Sequence, residues 1–196
     1  VENSENPADK GIYAFDAGFS VIARGEGDTY PYSSYKHTTF TGLGYGIYTT
    51  KGTDGKPYIV KQAVFEDCGV GIRNVQVAGA TILFNTFLLG KVPYIYVPII
   101  DIGEPGEPID TLKPPNQYGV VFESAVAGFT CQENLFMNKY LSEELKTVGV
   151  CCDNTGKANK TLRKNTYKNL SYGNVVNYLN AEEAGGIPRG LYFDCN

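Results

Sequence analysis

The chain has 196 residues, enough for one domain with a substantial apolar core. Its charged fraction is only 19%, its net charge is −4 and its pI is near 5.1, and no Lys/Arg run exceeds two residues. This balance excludes a nucleic-acid groove or an anionic-membrane patch, both of which need clustered positive charge; no apolar run approaches the roughly 20 residues of a membrane span.

In chain order, the first predicted strand is Gly11-Ile12-Tyr13-Ala14. A Gly followed by a branched or long aliphatic then recurs at Gly46-Ile47, Gly71-Ile72, Gly119-Val120, Gly149-Val150 and Gly190-Leu191. The first and third residues after each Gly pair as Ile12/Ala14, Ile47/Thr49, Val120/Phe122, Val150/Cys152 and Leu191/Phe193. Period-two alternation places each pair on one strand face, directed inward. An aromatic lies six residues before three glycines, Phe40 before Gly46, Phe65 before Gly71 and Tyr167 before Gly173; Phe87 and Phe136 are the equivalents where insertions intervene. From each Gly forward to its aromatic the chain takes 16 to 19 residues, which sets a basic period of about 25.

Ahead of the aromatic comes a third signal, an aliphatic or Cys, then Asn, then the ring: Ile82-Asn85-Phe87, Cys131-Asn134-Phe136 and Leu162-Asn165-Tyr167. Ala63 and Thr38 hold the Asn position in the two preceding repeats. Asn suits a tight corner because it tolerates the left-handed backbone region, and stacked Asn side chains bond to one another as a ladder. Abundant Gly (23 residues) agrees with many tight turns. Two insertions are expected, about 24–36 and 91–117. The second begins with the apolar run Tyr94–Ile100, read as an extra strand, and ends in a Pro-rich exposed loop.

These residues resemble the right-handed parallel β-helix repeats of the pectin-lyase-like superfold. The phrases FEDCGVGIRNVQVAGATILFNTF and NKTLRKNTYKNLSYGNV carry the likeness, which is nearest to surface proteins that Bacteroidetes export by type IX secretion. The resemblance implies an all-β right-handed parallel β-helix (a solenoid) of about seven coils with two large loop insertions, one domain over 1–196, itself a fragment of a longer solenoid. It also implies a secreted or cell-surface location. Asp110-Thr111-Leu112 resembles the short O-glycosylation sequon of that phylum, which makes Thr111 a candidate; an ordinary loop is the plainer reading. The pectin-active enzymes carry Asn-Thr-Asp, Asp-Asp or Gly-His-Gly motifs, and none occurs here, so no catalytic residue carries over.

Candidate chemistry is sparse. The outward residues after each Gly-aliphatic step, Tyr13, Tyr48 and Arg73 with Tyr192 farther on, should form an exterior stripe able to hold a sugar chain or a partner surface. A cross-strand stack that merely stabilises the face is the plainer reading of them. His37 is the only histidine and has no orienting partner in the sequence. Asp101, Glu104, Glu107 and Asp110 form a loose acidic group better read as solvated loop than as a calcium site, and the Glu143-Glu144 and Glu182-Glu183 pairs read as solvated loops too. The five Cys (Cys68, Cys131, Cys151, Cys152, Cys195) lack framework or zinc spacing and read mostly as small buried hydrophobes.

The expectation is a non-catalytic structural or adhesive module with no cofactor and no metal. Its partners would be further coils of its own parent chain or partner chains at the solenoid ends, and possibly surface glycans. A carbohydrate-active enzyme (a lyase or glycosidase) and a glycan-binding module are the alternatives. Two or more acidic side chains on a strand face would favour the enzyme.

Overall fold

A computed structural model describes residues 10–26, 34–51, 56–91, 117–140, 145–156, 158–177, 181–184 and 187–194. Among them every regular element is a β-strand. The first sheet is wholly parallel, in the order β1 (Lys10–Phe15), β6 (Tyr45–Thr50), β9 (Val70–Val75), β12 (Gln117–Glu123), β15 (Thr147–Asp153), β18 (Tyr172–Asn177). The second runs β2 (Ser20–Ile22), β7 (Ile59–Lys61), β10 (Ala80–Leu83), β13 (Phe129–Gln132), β16 (Lys160–Arg163), β20 (Ile187–Asp194), all parallel, and closes with β19 (Ala181–Ala184) antiparallel to β20. The third is parallel, β5 (Thr39–Thr41), β8 (Val64–Glu66), β11 (Thr86–Leu89), β14 (Leu135–Asn138), β17 (Thr166–Lys168). A small antiparallel pair, β3 (Arg24–Glu26) with β4 (Ser34–Lys36), forms the base of the first insertion. The chain therefore visits the three sheets in turn, and each circuit hydrogen-bonds to the one before it.

The expected interior row is present. Ile12, Ile47, Ile72, Val120 and Val150 are successive register partners, and the last four are fully buried. The row ends on Asn174. Phe40, Phe65, Phe87, Phe136 and Tyr167 form a second column through the third sheet, with neighbouring ring centroids 4.7 to 5.3 Å apart. Each such pair adds about 0.5–1.5 kcal/mol beyond the burial of its area. The glycines leave room for that column. A methyl group on Gly71 would lie 2.6 Å from both the Phe87 ring and the Gly119 carbonyl oxygen.

The Asn ladder is also present, but its geometry differs from expectation. Asn85, Asn134 and Asn165 are buried, and the left-handed residue is the one before each: Phe84, Glu133 and Lys164, with φ of 56°, 54° and 50°. The turn residue points its side chain out, which leaves the Asn amide to face inward and bond along the row. Similar left-handed residues follow strands at the other corners, including Asp16, Gln76, Ser124 and Asn154 after the first sheet.

Other expectations need correction. The described residues contain six strands in the first sheet rather than about seven. Gly190-Leu191 does not belong to the glycine row, since Leu191 pairs with Lys160 in the second sheet, and Gly173 takes that place. Glu182 and Glu183 lie in β19, not in a loop. Most of the second insertion, 92–116, lies outside the described residues, as do its Tyr94–Ile100 run and Glu143-Glu144. Its base is held: Gln117 accepts from the Gly90 N–H at 2.5 Å and donates to the Cys68 and Lys91 carbonyls at 2.7 and 3.1 Å. The chain thus leaves the circuit and re-enters it at one place.

Candidate functional site

The outer face of the first sheet brings the predicted stripe together. Tyr13, Tyr48 and Arg73 are successive register partners on β1, β6 and β9. The Tyr13 and Tyr48 rings lie 5.5 Å apart, tilted by 47°. The Arg73 guanidinium lies 5.4 Å from the Tyr48 ring centre and 5.8 Å from that of Tyr45, and donates to the Tyr45 hydroxyl at 3.1 Å. The Lys10 ammonium stands 5.7 to 6.0 Å from the rings of Tyr13, Tyr45 and Tyr48, at the outer limit of a cation–π contact.

Tyr192 is not part of this face. It pairs with Thr161 on the second sheet, because its Gly-Leu step belongs to a different strand type. Nor does the stripe stay exterior. Tyr13 is 57% exposed, yet the next members of the row after Arg73, Val121 and Cys151, are buried. With Tyr45, Val70, Tyr118 and Val148 they form a second apolar cluster outside the sheet. The sequence carries that signal: Tyr118–Phe122 and Val148–Cys152 are apolar on both faces instead of alternating, the pattern of a strand covered on both sides.

Sequence reasoning missed two acidic residues. Glu123 and Asp153, each four residues after a row glycine, are register partners at the ends of β12 and β15 and share the outer face with Arg73. Arg73 bonds Glu123 at 2.8 Å. Burial opposes the guanidinium charge, but the Glu123 hydrogen bond and charge outweigh it and raise the Arg73 pKa. Asp153 is pushed up from the ordinary carboxylate range by burial and then by the neighbouring Glu123 charge, and its Oδ1 is buried with no hydrogen-bond partner among the described residues. The fixed spacing from Gly119 and Gly149 was the available signal.

The remaining candidates hold structural positions. His37 is exposed, and its Nδ1 lies 2.7 Å from the Gln62 carbonyl oxygen, so the ring nitrogen donates there and tethers the start of β5 to a corner. Cys68, Cys131, Cys151 and Cys152 are free and buried. Burial raises the Cys68 thiol to about 12 and, with the Asp153 and Glu123 charges, raises Cys151 to about 12, which leaves both protonated and unreactive. Lys160 is buried, its pKa lowered by desolvation, and its ammonium donates to the Gly156 and Ala158 carbonyls at 2.6 Å each. Thr111, the Asp101–Asp110 acidic group and Cys195 lie outside the described residues.

No family model matches the chain, and no characterised protein or solved structure is significantly similar to it. The face offers exposed aromatic surface beside cations and one cross-strand pair of carboxylates.

Proposed function

We propose that the chain is a stretch of right-handed parallel β-helix serving as a non-catalytic structural or adhesive module of a large secreted or cell-surface protein. One observation carries this reading: three different columns (aliphatic, aromatic and Asn) continue in register through consecutive circuits. Columns of this kind stiffen a long support, and each circuit leans on its neighbours for burial. Further circuits of the parent chain, or partner chains, are the partners this reading requires. The likeness to exported pectin-lyase-like repeats supports the location and the β-helix hand. Antibody labelling of intact source cells tests it, with surface labelling of the native protein expected. Recovery only from the soluble interior of the cells overturns the reading.

A second reading, a carbohydrate-active enzyme or glycan-binding module, is favoured by the Glu123–Asp153 pair beside Arg73 and the exposed Tyr13. Glycan-array binding lost with Tyr13→Ala and Tyr48→Ala favours a binding module. Glycan cleavage lost with Glu123→Gln or Asp153→Asn favours an enzyme.

A further inference from the structure

Three cations gather at one corner of the fold. The first insertion leaves the circuit after β2 and returns before β5 as the β3–β4 hairpin, and both of its legs are tied to the end of β7. The Ala23 N–H donates to the Lys61 carbonyl at 3.2 Å, and the His37 Nδ1 donates to the Gln62 carbonyl at 2.7 Å. Arg24 and Lys36, the residues next to those two ties, are cross-strand partners, which sets their Cβ atoms about 5 Å apart on one face. Ile22 is 53% exposed, Ala23 is buried and Arg24 is exposed, so Ile22 and Arg24 point outward together. Lys61 is the register partner of Ile22 and shares that outer face.

The corner does not neutralise itself. Like charges directly opposite one another on an antiparallel pair are destabilising. Among the described residues none of Arg24, Lys36 and Lys61 makes an ion pair. Glu26 in the same hairpin is the register partner of Ser34, not of either cation. Beside the cations lies open apolar surface: Ile22, and Phe84 at 42% exposure with its ring 5.6 Å from the Lys61 ammonium.

We propose that this corner binds a sulfated polysaccharide. One sulfate group bridges Arg24 and Lys36, a second reaches Lys61, and the apolar face of a sugar ring lies on Phe84. A sulfate ester presents three oxygens, so it fills the guanidinium fork and still meets an ammonium about 5 Å away; a carboxylate, with two, is used up by the fork alone. The exposed ring and aliphatic beside the cations select an anion carried on an apolar-faced ring over an isolated oxyanion. Three cations are too few for the phosphate track of a nucleic acid or for an anionic membrane. The corner lies on the second sheet and shares no residue with the Tyr13–Arg73 face. It depends on the secreted or cell-surface location proposed above only for access to such a polymer.

The test titrates the purified protein with dextran sulfate by calorimetry at low salt, with polygalacturonate, poly-glutamate and neutral dextran alongside. Saturable binding of dextran sulfate is expected, with a Kd on the order of 1–100 µM that weakens as salt rises. The variant carrying Arg24→Ala and Lys36→Ala should bind at least about tenfold more weakly. A variant carrying Lys164→Ala and Lys168→Ala loses the same charge from exposed positions in a later circuit and should bind as the parent does. Tyr13→Ala should also keep full binding, which separates this corner from the glycan reading of the first sheet. Arg24 and Lys36 are exposed and repel each other, so removing both should not lower the melting temperature. If that variant does not fold, Lys36→Ala alone decides, with at least about a threefold loss expected. No saturable binding, an equal loss in the Lys164 and Lys168 variant, or tighter binding of polygalacturonate or poly-glutamate overturns the proposal. Failure of the surface location appears separately, in where the native protein is recovered.

Discussion

Asn85 and Asn134 stand 49 residues apart in the chain and are joined twice, because the backbone N–H and the side-chain Nδ2 of Asn85 both donate to the Asn134 Oδ1, at 2.9 and 3.0 Å. Asn134 repeats the arrangement on Asn165, at 3.1 and 3.0 Å. At the other end, the Asn85 Oδ1 accepts from the Ala63 N–H at 2.9 Å, so Ala63 closes the ladder with its backbone alone.

Replacing Asn134 with Ala removes the acceptor of the Asn85 backbone N–H and one of the two acceptors of the Asn85 Nδ2, which keeps the Val60 carbonyl, and takes the side-chain donor from the Ile82 carbonyl. Each buried group left unpaired costs about 1–3 kcal/mol, so a loss of about 3 kcal/mol or more is expected in chemical denaturation. Asn165→Ala should cost a similar amount. A loss below about 1 kcal/mol for both would mean the ladder adds little to stability.

The glycine row makes a sharper steric prediction. An added methyl at Gly119 collides with the Phe136 ring and the Gly149 carbonyl, whereas at Gly42 it meets nothing within 4 Å among the described residues. Gly119→Ala should therefore destabilise by about 3 kcal/mol, at the upper end for overpacking. Gly42→Ala, strained only by its φ of 66°, should cost about 1–2 kcal/mol. Thermal melts of the two variants separate steric from backbone cost, and an equal loss would contradict the close approach.

The glycine, aromatic and Asn columns were legible because each needs one residue type at a nearly fixed spacing. The left-handed corners were not, because Phe84, Glu133 and Lys164 share no type. Backbone geometry alone selects that position, and the Lys61 ammonium 5.6 Å from the Phe84 ring is a tertiary contact. Gly190 was misassigned because a Gly-aliphatic dipeptide looks the same in any strand; only the pairing of Leu191 with Lys160 separates it from Gly173. On the candidate face, Tyr13, Tyr48 and Arg73 followed from alternation, but the link between Arg73 and Glu123 spans 50 residues and depends on how much chain the second insertion contains.

Two carboxylates give stability a pH signature. Burial raises Asp67 and Asp153 above the ordinary range, with the Glu123 charge adding at Asp153. A carboxylate whose folded pKa is raised favours the folded state when protonated. That contribution is full below the unfolded pKa and is lost as pH rises through the folded one. Asp153→Asn should thus raise the denaturation midpoint at neutral pH and flatten this part of the pH profile. A lower midpoint at neutral pH would mean the carboxylate charge is favourably held.

Thiol reactivity follows from burial. Cys68, Cys131, Cys151 and Cys152 should resist an alkylating reagent in the native protein and react together once it is unfolded, as read by peptide mapping. Fast native labelling at any of the four would place that thiol at the surface.

Each circuit adds one strand, in register, to the first sheet. Phe15, Thr50, Val75, Glu123, Asp153 and Asn177 are successive partners in that sheet. Five steps at the parallel-strand spacing separate its ends, about 24 Å between backbones. Spin labels on Phe15→Cys and Asn177→Cys, read by pulsed dipolar spectroscopy, should give one narrow distribution centred near that distance plus label reach. A broad distribution, or a mean beyond about 40 Å, would contradict the register, because that spacing leaves room for only six strands.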